Sequence, residues 1–344
     1  MINTGIIGFG LSGRVFHAPF LHVHEQFNLH SIVTTGNLAR KFYPSARTLK
    51  NATALFDDPD IDLVVVCTPN AFHADLALKA LNSGKHVVIE KPVTPLASQA
   101  EELFEMAGRV GKYVFPYQNR RWDGDFMTIR HILRKGWLGD ILDYEVHFDR
   151  FVPRVDPGAW RYTQKEAGGT LYDLGIHMTD QAVVIFGKPR AVFCRLFRQR
   201  RHSVVDDSFD LKLIYPDLNV TIKSSVFVRE PGPRFVIHGS EGSFVKYGLD
   251  PQEALLDAGH MPRGEDWGKE DPEQWGLIHA RIDGNIVREK LETLPGNYMH
   301  FYDQVHEVIQ HRAQPVITLE EVLTGLKIIE RSMESAGKEN VIKY

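Results

Sequence analysis

A lysine at the end of an apolar run is the first residue in the chain whose surroundings are suited to catalysis. Lys91 follows the run at 87–89 and Glu90, and Pro92 comes directly after it. A proline restricts the residue before it to extended conformations, so Lys91 is predicted to point out of the end of a buried strand. A cation held there would stabilise negative charge that develops on a reacting oxygen. The alternative is that the strand merely ends on charged residues.

A second group of chemically useful residues lies in the segment at 165–180, "KEAGGTLYDLGIHMTD". Asp173 and His177 are four positions apart, so on a helix their side chains share one face. A histidine that titrates near neutrality can exchange a proton, and the aspartate can orient it or bind substrate hydroxyls. Gly168 and Gly169 would permit close approach by a ligand or another backbone. An ordinary helical Asp and His pair is the alternative.

These two groups are the parts that hydride transfer from a secondary alcohol requires, since the hydroxyl must lose its proton as the hydride leaves. Lys91 would polarise the oxygen and His177 would take the proton. A metal centre would need a third ligand that the sequence does not identify, and no H-E-x-x-H is present. The chemistry therefore predicts a bound nicotinamide cofactor and no metal.

Gly8, Gly10 and Gly13 form a G-x-G-x-x-G between an apolar run and a predicted helix. In a dinucleotide site the first glycine makes the turn, the second admits the pyrophosphate to the backbone, and the third allows close helix packing. The positive end of the helix then faces the phosphates. A turn that serves only packing is the alternative.

The end of the next strand, "SIVTTGNLARK", bears on the choice of dinucleotide. It lacks the carboxylate that usually binds the ribose of NAD. Thr34, Thr35 and Asn37 offer hydrogen bonds, and Arg40 and Lys41 could neutralise a 2′-phosphate. NADP is therefore favoured and NAD remains open; the alternative is that the two cations only solvate a helix face.

A third strand end, "CTPNAFH" at 67–73, is predicted to pass beside the cofactor. Ligands of α/β sheets bind at the carboxyl ends of the strands. Thr68, Pro69 and Asn70 are therefore candidate contacts. His73 is a further candidate, with a place on the following helix as its alternative.

Elements that would position these residues follow from the pattern of apolar runs. Residues 1–120 alternate Val- and Ile-rich runs with helical segments, which predicts an α/β Rossmann domain with a doubly wound parallel sheet. Residues 121–344 show long apolar and polar alternation, which predicts an α+β domain with a large, mostly antiparallel sheet. This second domain is expected to bind substrate and form the oligomer. Helices are predicted near 298–310 and, after a Thr318 to Glu321 capping box, to about residue 335.

Composition limits the class of protein. The 344 residues are 43% hydrophobic with a formal net charge of −4, which does not favour nucleic acid or an acidic membrane as partner. The sequence shows no signal peptide pattern, and Cys67 and Cys194 lie in apolar contexts typical of reduced thiols, so a cytoplasmic location is expected. A sheet covered on one face predicts a homodimer or homotetramer. Trp267 and Trp275, in the loop at 260–276, could cap a substrate or meet a partner subunit.

Three motifs in order, "GFGLSG", "EKP" and "GGTLYDLGIH", resemble those of the Gfo/Idh/MocA oxidoreductases. The resemblance implies that Lys91, Asp173 and His177 are the catalytic residues. It also implies that Trp160 and Arg161 lie by the nicotinamide and that Asn119 and Arg120 edge the active site. The complete predicted cofactor-binding set is Gly8, Phe9, Gly10, Ser12, Gly13, Thr34, Thr35, Asn37, Arg40, Thr68, Pro69, Asn70, His73, Glu90, Lys91, Asn119, Trp160 and Arg161.

Within that family the chain looks most like the NADP-dependent scyllo-inositol dehydrogenase group. Gly36 is a departure, because NADP-using relatives often have arginine directly after the Ser/Thr pair. The predicted function is hydride transfer between a cyclic polyol or sugar, such as scyllo-inositol and its inosose, and NADP. Alternatives are a keto-sugar reductase of the 1,5-anhydrofructose type, an enzyme that uses a tightly held nicotinamide as transient oxidant, and a non-catalytic nucleotide-binding regulatory protein.

Overall fold

The structure, a computed structural model, describes residues 1–155 and 167–344. Trp160 and Arg161 therefore lie outside the described residues. The chain forms two compact units, each built from three segments. The first unit contains residues 1–119, 252–267 and 297–323, and the second contains residues 120–251, 268–296 and 324–344.

Strands and helices are numbered in chain order. The strands are β1 Ile2–Ile7, β2 Phe27–Val33, β3 Arg47–Leu49, β4 Leu63–Val66, β5 His86–Ile89, β6 Val114–Pro116, β7 Ile141–His147, β8 Ala191–Phe197, β9 Ser208–Ile214, β10 Asn219–Ser225, β11 Phe235–Gly239, β12 Gly242–Lys246, β13 Gly276–Ile282, β14 Asn285–Leu291 and β15 Ile342–Lys343. The α-helices are α1 Ala18–Val23, α2 Leu38–Phe42, α3 Thr53–Phe56, α4 His73–Asn82, α5 Ala97–Arg109, α6 Gly124–Arg134, α7 Ile176–Phe186, α8 Gln252–Asp257, α9 Met299–His311 and α10 Leu319–Lys338. Two π-helical turns, Gly13–His17 and Leu171–Gly175, directly precede α1 and α7.

The first unit is built on a six-stranded parallel sheet with the order β3-β2-β1-β4-β5-β6. Its central strands are unbroken apolar runs because helices cover both faces. Val64, Val65 and Val66 of β4, for example, have no exposed surface. The predicted doubly wound Rossmann sheet is confirmed.

Helix α9 belongs to the first unit although it lies far along the chain. Its apolar residues recur at helical spacing, and the ring of Phe301 lies 4.7 Å from that of Tyr117. The ring of Tyr302 stacks 6.4 Å from that of Phe20. The compact units therefore differ from a single division at residue 120, because burying this apolar face returns the chain to the first unit.

The second unit contains a nine-stranded sheet with the order β14-β13-β12-β11-β7-β10-β9-β8-β15. All its pairs are antiparallel except β7 with β10. Alternate residues of a strand point to the same face, and those such as Tyr144 are buried beneath α7. The rings of Tyr144 and Phe186 lie 5.2 Å apart there. The predicted mostly antiparallel sheet is confirmed.

The hairpin of β13 and β14 was not predicted. Its turn is Asp283 and Gly284, both with positive φ, at 49° and 83°. An Asp-Gly pair between alternating segments is a strong hairpin signal, so the sequence "ARIDGNIV" contained it.

Other expectations concern the chain ends, the thiols and membranes. The Thr318 capping box forms, with the Thr318 amide donating to Glu321 at 2.9 Å and the Glu321 amide donating to Thr318 Oγ1 at 3.3 Å. Both cysteines are free; Cys194 is buried, and Cys67, directly after β4, is half-buried. Among the described residues, none of the helices is both long and apolar enough to cross a membrane.

Candidate active site

The predicted cofactor residues of the first unit lie at one edge of its sheet. Strands β2, β1, β4 and β5 are consecutive neighbours, and each ends directly before a predicted group. Residues 34–35 follow β2, residues 8–10 follow β1, residues 68–70 come just after β4, and residues 90–91 follow β5. The parallel order brings the carboxyl ends together, which is the usual ligand edge of such a sheet.

The glycine turn, residues 8–13, has the geometry that a dinucleotide requires. Gly8 has φ of +97°, and a Cβ there would lie 2.5 Å from the carbonyl oxygen of Cys67. A Cβ on Gly13 would lie 2.2 Å from the carbonyl oxygen of Gly8, so both positions are closed to side chains. A Cβ on Gly10 would meet nothing within 4 Å. The first and third glycines are thus required by packing, and the second faces open space where a pyrophosphate could approach.

Two further observations fit a nicotinamide dinucleotide. The hydroxyl of Thr68 is buried and makes no hydrogen bond within the part of the chain that the structure describes, so a bound group could satisfy it. After β2, Thr34 accepts a hydrogen bond from the Gly36 amide at 3.2 Å. Thr35, Asn37 and Arg40 are exposed there. The exposed hydroxyl, amide and cation could all reach a ribose or its 2′-phosphate.

Glu90 binds protein groups rather than facing solvent. Its Oε1 accepts from the Ser12 hydroxyl and from His17 Nε2, the latter at 3.0 Å, and its Oε2 accepts from the Lys91 amide at 3.0 Å. Burial by itself raises the pKa of the Glu90 carboxyl, but the His17 hydrogen bond, the nearby charges of His17 and Lys91, and Ser12 bring it below its ordinary value. Glu90 and Ser12, which were predicted to contact cofactor, therefore also bind each other.

His17 and Tyr302 were not among the predicted site residues. His17 has no exposed surface, and its Nδ1 lies 2.7 Å from the Tyr302 hydroxyl. The π-helical turn before α1 ends at His17. A histidine inside the apolar stretch "VFHAPF" was the available signal, since a buried imidazole needs polar partners.

His73 joins two of the strand-end segments. Its Nδ1 lies 2.9 Å from the Pro92 carbonyl oxygen and its Nε2 lies 2.8 Å from the Thr68 carbonyl oxygen. Burial lowers the pKa of the His73 imidazole, and these backbone contacts oppose the change. The ring thus braces the segment after β4 against the segment after Lys91, and its contact with cofactor stays a prediction.

In the second unit, Asp173 and His177 lie one helical turn apart, as predicted. Asp173 is in the π-helical turn and is half-buried, and its amide donates to the Gly169 carbonyl at 3.0 Å. His177 is the second residue of α7 and its surface is 5% exposed. The π-helical turn changes the direction of side chains around it, and such turns are frequent at functional sites.

Arg121 and Arg120 tie the helix of His177 to the segment before α6. Arg121 makes a bidentate, buried ion pair with Asp180, with both N–O distances at 2.7 Å. The Gln181 side-chain amide donates to the Arg120 carbonyl at 2.9 Å. Asp180 and Gln181 both belong to α7, so these bonds fix the orientation of the predicted catalytic helix.

Asp206 was also missed. Its Oδ2 accepts from the Leu171 amide at 2.7 Å, at the start of the π-helical turn. Gly169 has φ of +92°, and a Cβ there would lie 2.1 Å from Asp206 Oδ1. Burial raises the pKa of the Asp206 carboxyl to about 6, against the opposing hydrogen bond from Leu171. The group that lies against Gly169 is thus the side-chain carboxyl of Asp206.

Three side chains among the described residues have the spacing of metal ligands. These are His306, Glu307 and His311, on the partly exposed side of α9. None of them is a predicted catalytic residue, and the expectation that no metal takes part stays a prediction.

Trp267 and Trp275, the two tryptophans of the loop at 260–276, fall in different compact units, and Trp267 Nε1 donates to Gln252 Oε1 at 3.2 Å.

Comparison with known proteins decides the family. Two family models match the chain. One, described as an oxidoreductase family with an NAD-binding Rossmann fold, matches residues 2–118, and the other, described as an oxidoreductase family C-terminal alpha/beta domain, matches residues 130–343. The chain belongs to the Gfo/Idh/MocA oxidoreductase family. As a member of that family it is an NAD(P)-dependent oxidoreductase, and the predicted dehydrogenase class, acting on CH–OH groups, is confirmed at the family level.

Individual Gfo/Idh/MocA relatives cover much or all of the chain. It is 39% identical over 343 residues to scyllo-inositol 2-dehydrogenase (NADP(+)) IolW of Bacillus subtilis. The alignment covers 99% of this chain and 95% of that protein. It is 31% identical over 198 residues to D-glucoside 3-dehydrogenase of Escherichia coli, covering 55% of each. The crystal structure of an oxidoreductase from Bacillus cereus has a TM-score of 0.92 at 32% identity, covering 100% of this chain and 99% of that one.

Proposed function

We propose that this protein is an NADP-preferring dehydrogenase of a cyclic polyol, with scyllo-inositol and its inosose as the first substrate pair to test. The observation that carries the choice of substrate is the similarity, along nearly the full length of both chains, to scyllo-inositol 2-dehydrogenase (NADP(+)). The motifs around Lys91, Asp173 and His177 support an active enzyme over a regulatory protein, since a sensor has no need of an acid and a base.

In the proposed mechanism the bound nicotinamide supplies the hydride acceptor or donor. Lys91 polarises the reacting oxygen and stabilises its negative charge. His177 takes the hydroxyl proton during oxidation and returns it during reduction. Asp173, one turn before His177, orients the imidazole or binds an adjacent substrate hydroxyl. The glycine turn and the buried Thr68 hydroxyl hold the dinucleotide.

The preference for NADP rests on the segment after β2. This segment has no carboxylate that would repel a 2′-phosphate, and it exposes Arg40 and Lys41. Either cation could form a charge-assisted hydrogen bond with the phosphate. Gly36 stands where relatives often have arginine, which supports some residual use of NAD.

Self-association is proposed through the open face of the nine-stranded sheet. That face carries charged and apolar side chains together: His147 lies 2.5 Å from Glu145 and 3.1 Å from Asp149, and Phe193 and Val236 are half-buried. The half-buried apolar side chains on this face would lose their remaining exposed surface against a second copy of the chain. The proposed state is a homodimer or homotetramer, and the proposed location is the cytoplasm.

A sugar rather than an inositol is the second candidate substrate, favoured by the similarity to D-glucoside 3-dehydrogenase. Both candidates present adjacent ring hydroxyls, so the same acid and base would serve either. Reduction of a keto-sugar of the 1,5-anhydrofructose type is a separate alternative, in which hydride is delivered to the carbonyl carbon and His177 supplies the proton to its oxygen.

The deciding experiment follows the absorbance of reduced cofactor with NADP or NAD against a panel of inositols, aldoses and glucosides. Lys91→Ala protein serves as the control for contaminating activity. Turnover of scyllo-inositol with NADP, absent from Lys91→Ala, would support the proposal. Turnover of only glucosides would select the second candidate, and no reduction of NADP or NAD with any polyol or sugar of the panel would overturn both.

A further inference from the structure

A buried chain of hydrogen bonds connects the glycine turn, the end of β5 and helix α9. Tyr302 on α9 contacts His17, His17 contacts Glu90, and the second oxygen of Glu90 receives the Lys91 amide. Ser12, inside the glycine turn, donates to the Glu90 oxygen that also faces His17. His17 and Tyr302 have no exposed surface, and all five residues belong to the first unit.

The chemistry of each contact sets the direction of the hydrogen bonds. The carboxylate of Glu90 can only accept, so His17 Nε2 must carry a hydrogen. Burial raises the pKa of the Tyr302 hydroxyl well above its ordinary value, so the phenol keeps its proton. Tyr302 contacts the ring nitrogen that Glu90 does not, and therefore holds the His17 ring in the orientation in which Nε2 donates to Glu90.

We infer that His17, held by Tyr302, is a positioning residue for Lys91: it holds Glu90, and Glu90 in turn binds the Lys91 peptide and Ser12 in a single arrangement. This inference rests on the proposed role of Lys91. The glycine turn that would bind cofactor and the lysine that would bind substrate are thereby connected through one carboxylate. Displacement of a reacting group by about 1 Å can lower a rate on the order of 100-fold, so the connection has a measurable effect.

Loss of His17 would change the charge of Glu90 as well as its position. Without that donor, burial would raise the pKa of the Glu90 carboxyl, because Ser12 and Lys91 alone would oppose it. The other titratable groups that interact with Glu90 are Cys67, His73 and Tyr302. Burial raises the pKa of Cys67 and of Tyr302 and lowers that of His73, which favours their neutral forms, so these groups would not restore a charged carboxylate.

The test compares His17→Phe with a matched control, His24→Phe. His24 directly follows α1, whereas His17 directly precedes it. Like His17, His24 contacts a carboxylate, with Nε2 3.1 Å from Asp303 Oδ1 on α9, but its described contacts do not include Glu90. We expect His17→Phe to lower kcat roughly 10-fold to 100-fold with a smaller change in cofactor KM. The acid side of its pH profile should move to higher pH, and the double variant His17→Phe with Glu90→Gln should lack that movement. His24→Phe should leave kcat and the profile unchanged.

Two further variants keep the test decisive. His17→Gln retains a donor and should recover part of kcat, and Tyr302→Phe removes a single oxygen and should lower kcat a few-fold in a folded protein. A folded Tyr302→Phe and His17→Phe with wild-type kcat and pH profile would overturn the inference, as would an equal loss in His24→Phe. If the wild type turns over no polyol, NADPH binding followed by fluorescence between pH 5 and pH 8 gives the readout: His17→Phe should bind more weakly at low pH, and wild-type binding would overturn the inference independently of the proposed substrate.

Discussion

The carboxylate of Asp206 accepts a hydrogen bond from the Leu171 amide at 2.7 Å, at the first residue of the π-helical turn that carries Asp173. The backbone carbonyl of Asp206 also accepts from the Thr170 amide at 3.0 Å. Asp206, which lies just before β9, thus holds both amides at the start of the predicted catalytic segment. Those amides would otherwise lack partners, because helix beginnings leave their first N–H groups unsatisfied.

Asp206→Asn should remove a pH dependence of stability. The pKa of this carboxyl is raised to about 6 in the folded protein from 3.8, so the folded state binds the proton more tightly. The raised pKa contributes on the order of 3 kcal/mol to the free energy of unfolding. This contribution is fully present below about pH 4 and is lost as the pH rises through about 6. Urea unfolding midpoints at pH 4 and pH 7 measure this. The variant should lose less stability over that interval than wild type, and exposed Asp217→Asn should behave as wild type.

The glycine turn makes a prediction that separates packing from binding. Gly10→Ala adds a Cβ with open space around it, so thermal stability should stay within a few degrees of wild type. Its NADPH affinity should fall by about 10-fold or more, because the Cβ occupies the path of the pyrophosphate. Gly13→Ala should instead destabilise the fold, since its Cβ would lie 2.2 Å from the Gly8 carbonyl oxygen. Equal NADPH affinity in Gly10→Ala and wild type would argue against a dinucleotide at this turn.

Arg40→Ala should reduce the preference for NADP. We expect kcat/KM with NADP to fall about 10-fold and kcat/KM with NAD to change little, because only NADP carries the 2′-phosphate. The effect should weaken at high salt. Arg109→Ala, which removes an exposed cation from the end of α5, is the charge-matched control. Parallel losses with both cofactors would place the phosphate contact elsewhere.

Lys91→Ala and His177→Ala should each lower kcat on the order of 100-fold or more. Both variants keep the glycine turn and Thr68, so NADPH affinity measured by fluorescence should fall far less than kcat. Lys79→Ala, at an exposed ion pair with Asp75, should leave the rate unchanged. Full activity in either variant would remove the assigned role of that residue.

Phe193→Glu should dissociate the proposed oligomer. Phe193 lies on the open face of the nine-stranded sheet, opposite Lys212. The new carboxylate would lie beside Lys212, but burying a charge at an interface costs more in lost hydration than such a pair returns, whereas the Phe193 ring is apolar. Sedimentation velocity should show a smaller species for this variant. Leu38→Glu, at an exposed apolar residue of the first unit, should leave the assembly unchanged. A wild-type protein that sediments as a monomer would contradict the interface.

Local patterns in the sequence were enough to predict the class of each sheet. The apolar run of β4 reads as a strand buried on both faces, and the alternation in β9 reads as a strand buried on one. The glycine turn was predictable for the same reason, since spacing, strand and helix are all adjacent in the chain. Two further features have local signals of their own: the Asp283 and Gly284 turn, and the histidine in "VFHAPF".

The sequence by itself determined the family motifs, the α/β and antiparallel halves, and the positions of Gly8, Gly10, Gly13, Lys91 and His177, because each depends on neighbours within a few residues. Only the tertiary structure decided that Tyr302, 285 positions from His17, completes the buried chain that ends at Lys91. It likewise decided that Asp206 holds the start of the predicted catalytic segment from 35 positions away. The physical reason is that a buried polar group takes whichever partner the fold brings within hydrogen-bond distance, and no local pattern encodes that choice.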